Sequence, residues 1–314
     1  MSDSAKSWTL HLALIALLFA GCFLLPAYHQ GNFAKIMVMA IYAIGYNVLF
    51  GYTGLLSLGH AMFFAMGMYG MGLAMQHGDV PALPAFVLGI VAAALGSALV
   101  ALLALRTIGV AFMIVTLMFA QAGFLTILYF GEWTRGDEGF VIAQSLRQVA
   151  GVDLTHPITR YLVALALFST ALLGTAAMIK ARFGAVLIAI RENEERTRML
   201  GYDVNRHKFA ALVISGTLAG TAGAAYGLLF GYVGATFATV QYSIFPLLWV
   251  LLGGAGTTIG PFLGALFMFY LIDYTSGLTS AYLLVVGVVL VLVTLFARAG
   301  LMGELRRRAA PWLP

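Results

Sequence analysis

Residues 82–105 read ALPAFVLGIVAAALGSALVALLAL, a run without a charged side chain that is long enough to cross a membrane as one helix. The rest of the chain has the same character, since 62% of its residues are hydrophobic and only 9% are charged. Soluble domains contain roughly 45 to 50% apolar residues, so a water-soluble fold would leave much of this surface in water. The sequence therefore predicts an all-α bundle of membrane-spanning helices.

Nine further apolar segments on either side of this run predict about ten spans in total. The spans lie near residues 9–28, 33–51, 58–76, 82–105, 108–130, 159–179, 209–231, 240–256, 261–273 and 280–297. The glycines between 253 and 260 permit a re-entrant segment instead of a full crossing, so eight or nine spans are the alternative. Residues 1–314 then form a single transmembrane domain.

The basic residues predict the orientation, because Lys and Arg near span ends stay on the cytoplasmic side. They concentrate in the loop 180–208 and near the end of the chain, at residues 306–308. The other long loop, 131–158, mixes both signs and is expected to face outward. Under ten spans both termini are cytoplasmic. This bias accounts for the pI of 9.3 without a nucleic-acid partner.

Several kinds of chemistry are excluded by the residues that the chain lacks. The single cysteine, Cys22, lies in an apolar run, which excludes an internal disulfide and a cysteine metal site. No lysine follows a glycine, so there is no ATP-binding P-loop, and neither G-x-S-x-G nor H-E-x-x-H occurs. We expect no enzyme activity, no cofactor and no metal. Proton coupling is disfavoured because the spans contain almost no ionisable residues.

Two glycine-rich stretches stand out, GYTGLLSLGH at 51–60 and GGAGTTIGP at 253–261. Glycine lets a helix break and present backbone amides and carbonyls to a solute at membrane depth. The residues predicted to form a translocation path are Ser57, Gly59, His60, Gly254, Gly256, Thr257 and Pro261. The glycines and the proline would shape the backbone, and the polar side chains would contact solute. Tight helix packing and structural hydrogen bonds are the alternatives.

The long basic loop contains an amphipathic segment, residues 183–200, that predicts a helix ending at Gly201. Glu192 with Arg196, and Glu194 with Arg198, are spaced for i, i+4 ion pairs. Such a helix lies on the membrane surface or docks a cytoplasmic partner.

Four stretches together resemble the branched-chain amino-acid ABC permeases of the LivM and LivH type, and the resemblance runs from about residue 41 to 296. They are residues 51–69 with SLGHAMFF, 105–117, 185–201 with AIRENE, and 254–265, which read GAGTTIGPFLGA. The resemblance implies a subunit of an ATP-driven importer in the bacterial inner membrane. Its partners would be membrane lipid, a second, LivH-like permease, two cytoplasmic ABC ATPases that hydrolyse the ATP, and a periplasmic substrate-binding protein.

The same resemblance implies that the loop 180–208 couples ATP hydrolysis to transport. The coupling residues would be Ala189, Arg191, Glu192, Glu194 and Gly201. Leucine, isoleucine and valine are the expected substrates, and urea or short amides are the alternative within the family. Independent alternatives are an ATP-independent channel or secondary carrier and a membrane scaffold without transport.

Overall fold

The structure, a computed structural model, describes residues 3–149, 151–296 and 299–308. Its helices are Asp3–Leu24 (α1), Ala27–Asn47 (α2), His60–Gly78 (α3), Ala82–Ala104 (α4), Val110–Tyr129 (α5), Gly131–Thr134 (α6), Pro157–Lys180 (α7), Arg182–Glu192 (α8), Glu194–Met199 (α9), Val204–Phe230 (α10), Val240–Gly253 (α11), Gly260–Leu278 (α12), Tyr282–Phe296 (α13) and Gly300–Arg308 (α14). Four short strands, Phe140–Val141 (β1), Gln148–Val149 (β2), Val152–Asp153 (β3) and Tyr232–Val233 (β4), form the antiparallel pairs β1 with β4 and β2 with β3. The prediction of a helical membrane bundle is confirmed.

Seven helices in the described part of the chain are long and apolar enough to cross a membrane: α1, α2, α4, α5, α7, α10 and α12. The other three predicted spans coincide with α3, α11 and α13. At 14 residues, α11 measures about 21 Å, which is less than the roughly 30 Å of bilayer hydrocarbon. The chain is thus a multi-pass membrane protein in which α11 by itself is too short to cross.

An irregular segment, residues 231–239, precedes α11 and is enclosed by protein. Its short 3-10 helix, Ala235–Ala238, contacts α3, α5 and α11, and Val233 and Phe237 are buried. Non-helical backbone is tolerated at membrane depth only where protein or water surrounds it, so this burial permits the short α11.

Local signals explain several helix ends. Pro26 and Pro81 are the extended residues before α2 and α4, and Pro157 occupies the first turn of α7. Asp203 begins α10, because its side chain accepts a hydrogen bond from the Arg206 amide at 3.0 Å.

The centre of the bundle is formed by α2 and α10, whose most apolar windows are 78% and 67% buried, whereas that of α5 is only 17% buried. Close contact between α10 and α3 depends on glycine. A Cβ on Gly223 would overlap the Phe64 carbonyl, and one on Gly67 would overlap the Gly220 carbonyl. Small residues of this kind let helix backbones approach closely in membranes. Large apolar side chains on α4 and α5, such as Leu95 and Met118, point outward and are suited to lipid.

Contacts between helix termini define two ends of the bundle. Lys180 at the end of α7 contacts Ser7 near the start of α1, and His11 contacts Thr258 between α11 and α12. We call this the basic end, because the loop 180–208 and α14 lie here. At the opposite end Tyr28 meets Asp273 and β1 pairs with β4.

Candidate functional site

The two glycine-rich stretches meet at the basic end, and the side chain of Asn47 joins them. Its Nδ2 donates to the Thr257 carbonyl oxygen at 2.8 Å, and its Oδ1 accepts from the Gly256 amide at 2.9 Å. Asn47 is 1% exposed. The two bonds satisfy backbone groups that the break between α11 and α12 leaves without helical partners. We call Asn47, Gly51, Gly256 and Thr257 the helix-break junction.

Glycine is required on both sides of this junction. Residues Val48–Tyr52 continue α2 as a π-helix, and a Cβ on Gly51 would overlap the Asn47 side chain and the Gly256 amide nitrogen. Gly256 has a φ of +77°, a conformation that L-residues rarely adopt. Short π-helices within longer helices occur frequently at functional sites.

Thr257 of the junction lies, in sequence, between the other predicted path residues of the second stretch, Gly254 and Pro261. Thr257 donates from Oγ1 to the Gly254 carbonyl at 2.7 Å. Gly254 has a φ of +116° and packs against α14, where an added Cβ would lie 2.8 Å from the Gly303 amide nitrogen. Pro261 is in the first turn of α12, where its missing N–H leaves no helical bond unmade.

Ser57, Gly59 and His60 surround the start of α3, and each bonds to protein through at least one polar group, although the buried Nδ1 of His60 has no partner among the described residues. The Ser57 hydroxyl accepts from the Gly59 amide at 3.2 Å, and its carbonyl accepts from the Tyr46 hydroxyl at 2.9 Å. His60 Nε2 lies 2.7 Å from Ser215 Oγ, and its ring centroid lies 4.7 Å from that of Tyr46. One turn of α2 therefore contacts both groups of predicted residues, through Tyr46 and Asn47.

Arg191 connects the loop 180–208 to the junction. Its Nη1 donates to the Gly51 carbonyl oxygen. Gly54, at a φ of +79°, lies against the Arg191 side chain. Thr53–Leu55, residues 108–109 and the segment 190–194 surround a cleft of about 300 Å³ at this point. Arg191 therefore both lines this cleft and binds the helix-break junction through Gly51.

The other predicted coupling residues lie along the same loop. In α8, Leu187 and Ile190 are buried against the bundle, Ala189 is half-buried and Glu192 is exposed. Gly201 has a φ of +90° just beyond α9, as its predicted position at a helix stop requires.

The prediction of one continuous helix over 183–200 is wrong, because the helix breaks at Asn193. Asn193 is extended, with a φ of −160°, and its side chain accepts from the Arg196 amide at 2.9 Å. It thereby caps a second helix, and Glu192 and Arg196 form no ion pair within the described residues. Glu194 and Arg198 do pair at 3.1 Å, and Glu194 also binds Lys208 at 2.5 Å.

Sequence reasoning missed Asn47, the residue that holds the junction together. The available signal was an amide side chain four positions before Gly51, inside an otherwise apolar span. A buried amide in a membrane needs partners, and here both partners are backbone groups far away in the sequence.

The opposite end carries a different charge arrangement, in the loop between α5 and α7. Arg147 is 8% exposed and donates to the Leu229 carbonyl near the end of α10. Burial lowers the pKa of Arg147, and the nearby Arg160 lowers it further. The backbone and side-chain hydrogen bonds from Thr155 lower the pKa of the Asp153 carboxyl.

Comparison with known proteins identifies relatives that match most of the chain in sequence. The sequence pattern of the family described as "Branched-chain amino acid transport system / permease component" matches residues 31–294. The "High-affinity branched-chain amino acid transport system permease protein LivM" of Escherichia coli is 29% identical over 293 residues, and that of Salmonella typhimurium is 30% identical over 292 residues. Each alignment covers 85% of this chain and 68% of the relative.

A shorter similarity extends to an archaeal protein. The "Probable branched-chain amino acid transport permease protein LivM" of Methanocaldococcus jannaschii is 34% identical over 90 residues, which cover 28% of this chain and 26% of the relative. No solved structure matches the chain.

Proposed function

Because the chain belongs to the family of permease components of branched-chain amino acid transport systems, we propose that it is the membrane subunit of an ATP-binding-cassette importer that moves leucine, isoleucine and valine into the cytoplasm. The relatives are permease components and not enzymes, so ATP hydrolysis falls to separate subunits. The proposed assembly contains this chain as one permease domain, a second, LivH-like permease, two cytoplasmic ATPases and a periplasmic substrate-binding protein.

In this proposal the basic end faces the cytoplasm and the chain lies in a bacterial inner membrane. Lys and Arg gather at this end, in the loop 180–208 and in α14, and such residues stay on the cytoplasmic side of membrane proteins. Both termini are then cytoplasmic. The loop 180–208 meets the ATPases, and the loop 131–156 faces the binding protein.

One observation carries the mechanism: the hydrogen bond from Arg191 to the Gly51 carbonyl joins the cytoplasmic loop to the helix-break junction. An ATPase that displaces α8 would move Gly51, and Asn47 would transmit the movement to the segment between α11 and α12. Interfaces with discrete alternative packings convert such small shifts into larger rearrangements. The residues that this proposal assigns to coupling are Ala189, Arg191, Glu192, Glu194 and Gly201.

The path residues divide by the roles that their contacts favour. Gly59, Gly254, Gly256 and Pro261 shape the backbone beside the path. Ser57 and Thr257 stabilise that backbone through the hydrogen bonds described above, and His60 bonds to the Ser215 hydroxyl on α10.

The first test is composition and transport. The tagged chain is purified from its native membrane in mild detergent, and its partners are identified by mass spectrometry. A second permease with P-loop ATPases is expected, and the reconstituted assembly should take up leucine only with ATP. Uptake without ATP by the chain alone would make it a channel or carrier, and ATP-driven uptake of urea but not leucine would assign it to amide transport.

The second test addresses coupling. The double variant Arg191→Ala/Glu192→Ala should insert and assemble normally, while its ATP hydrolysis no longer drives uptake. Arg106→Ala is the matched control, since it removes an exposed cation from the same end outside the coupling loop. Unchanged leucine molecules transported per ATP in the double variant would contradict the coupling role.

A further inference from the structure

A cavity of about 340 Å³ opens toward the opposite end of the bundle, between α2, α10, α11 and α12. Its volume falls within the range of about 300 to 1,000 Å³ that is typical of small-molecule sites. Its lining contains none of the predicted path or coupling residues. The cavity extends from the rim at Asp273 and Ser276 to Trp249 and Ala265, deeper among the helices.

Aromatic side chains form much of its wall. Tyr242, Phe245 and Trp249 follow one another at helical spacing on α11, and Tyr226 faces them from α10. The rings of Phe245 and Trp249 are stacked, with centroids 6.0 Å apart and an interplanar angle of 9°. A wall of this kind favours an apolar aliphatic group over water.

The cavity also carries one residue of each charge, Lys35 and Asp273, and both are half-buried. Lys35 Nζ lies 5.7 Å from the centroid of the Phe230 ring, and the Asp273 carboxylate accepts a hydrogen bond from the Tyr28 hydroxyl at 2.9 Å. Among the described residues neither forms an ion pair, with each other or with another side chain. Two opposite charges therefore share one cavity without neutralising each other.

Unneutralised charges within membrane segments are costly, and those that occur commonly belong to substrate or ion pathways. A ligand that carries both charges on neighbouring atoms would satisfy the two residues together. A neutral amide would leave Lys35 and Asp273 without counter-charges. Because leaving buried polar groups unpaired is costly, the site should bind a neutral amide much more weakly than a zwitterion.

We propose that this cavity binds a zwitterionic α-amino acid with an apolar side chain. Lys35 contacts the carboxylate, Asp273 contacts the ammonium group, and the aromatic wall receives the side chain. This inference rests on the proposed transport function, which already names the amino acids, and adds the membrane site at which the chain itself contacts them, through Lys35 and Asp273.

Binding is tested in the assembled transporter, held in lipid nanodiscs, by protection of one engineered thiol, whose labelling is followed by mass spectrometry of the peptides from this chain. Cys22 is 1% exposed and gives little background labelling, so Ser276→Cys places one reactive thiol at the rim of the cavity. L-leucine should slow its modification by a maleimide, and acetamide should not. Ser280→Cys is the matched control, an exposed site just after the end of α12 and outside the lining.

The charge roles are tested by Lys35→Met and Asp273→Asn. Each should remove leucine protection and raise the KM for ATP-dependent leucine uptake about ten-fold or more, because each deletes a charge-assisted hydrogen bond to the substrate. Lys35→Arg should retain protection. Size-exclusion chromatography of each assembly identifies variants that fail to fold. Asp79→Asn is the control, an exposed carboxylate just after α3 and outside the cavity lining.

The outcomes separate the two proposals. If the wild-type assembly shows no ATP-dependent leucine uptake, the proposed function fails. If uptake is normal but leucine does not protect Ser276→Cys and the KM of Lys35→Met is unchanged, only the cavity inference is overturned. Equal protection by acetamide would overturn the zwitterion class.

Discussion

Truncation of Asn47 to alanine removes both of its side-chain bonds in the helix-break junction and leaves the buried Thr257 carbonyl and the half-buried Gly256 amide without these partners. Hydrogen bonds within membrane proteins contribute about 0.6 kcal/mol each on average, so an average pair contributes about 1.2 kcal/mol. Each buried backbone group left unsatisfied costs about 1 to 3 kcal/mol. Two fully buried groups would cost about 2 to 6 kcal/mol; because the Gly256 amide is only half-buried, we expect Asn47→Ala to lower the free energy of unfolding by about 2 to 3 kcal/mol, the low end of that range.

The measurement is reversible unfolding of the purified chain in mixed micelles by SDS, followed by tryptophan fluorescence. Asn32→Ala is a closely matched control, because Asn32 is buried on the same helix and its amide nitrogen has no hydrogen-bond partner among the described residues. This variant deletes the same atoms without deleting a comparable pair of bonds. Equal losses of stability in the two variants would refute the reasoning about the junction.

Three further predictions address other parts of the structure. Gly223→Ala should destabilise the chain by at least about 1 kcal/mol in the same assay, because its Cβ would overlap the α3 backbone. The control Gly174→Ala should be neutral or slightly stabilising, because Gly174 has open space around it. The pKa of Asp153 is lower in the folded state, so this residue stabilises the fold above its unfolded pKa, and that stabilisation is lost as the pH falls through the folded pKa. The thermal midpoint of the wild type should therefore drop more between about pH 5 and pH 2 than that of Asp153→Asn. Parallel curves of thermal midpoint against pH would contradict this. Glu194→Gln removes the carboxylate that binds Lys208, and hydrogen exchange should accelerate in residues 194–199 but not in α7.

Much of the fold was predictable, because a bilayer demands long apolar helices and the chain supplies them as separate runs. The run at 82–105 ends within one residue of α4, and the predicted span 108–130 contains all of α5. The span predicted for 261–273 is too short by comparison with α12, which continues to Leu278. The charge of Asp273 lowers the hydropathy of the sequence at this point, which ended the predicted span too early. In the structure the Tyr28 hydroxyl donates to the Asp273 carboxylate, and the helix continues.

The candidate site was predictable in its parts and not in its assembly. Glycines at 51 and 256 suggested breaks in two separate helices. The local sequence around each glycine does not indicate that these two helix breaks contact each other in the fold. The bonds that join them span more than 200 residues of chain. The helix break at Asn193 escaped prediction for a different reason: the apolar and charged pattern of 183–200 fits a helix throughout, and the competing side-chain cap at Asn193 decides against it.

The charged cavity shows the same limit. The sequence did not single out Lys35, because it lies near the start of an apolar span. At such a position a long side chain can extend toward the membrane interface and need have no function. Its relation to Asp273 depends on the packing of α2 against α12, which neither periodicity nor composition specifies.

The distance in sequence between Asn47 and Thr257 has a consequence for biosynthesis. The two residues are 210 positions apart, so at roughly 5 to 20 residues per second the ribosome needs about 10 to 40 seconds after making Asn47 before its partner exists. During that interval α2 is in the membrane with an unsatisfied amide near its end. Nascent chains that stop before α12 would keep this unsatisfied amide at the end of α2. We expect membrane quality-control proteases to recognise the exposed amide and so to distinguish these chains from the finished protein.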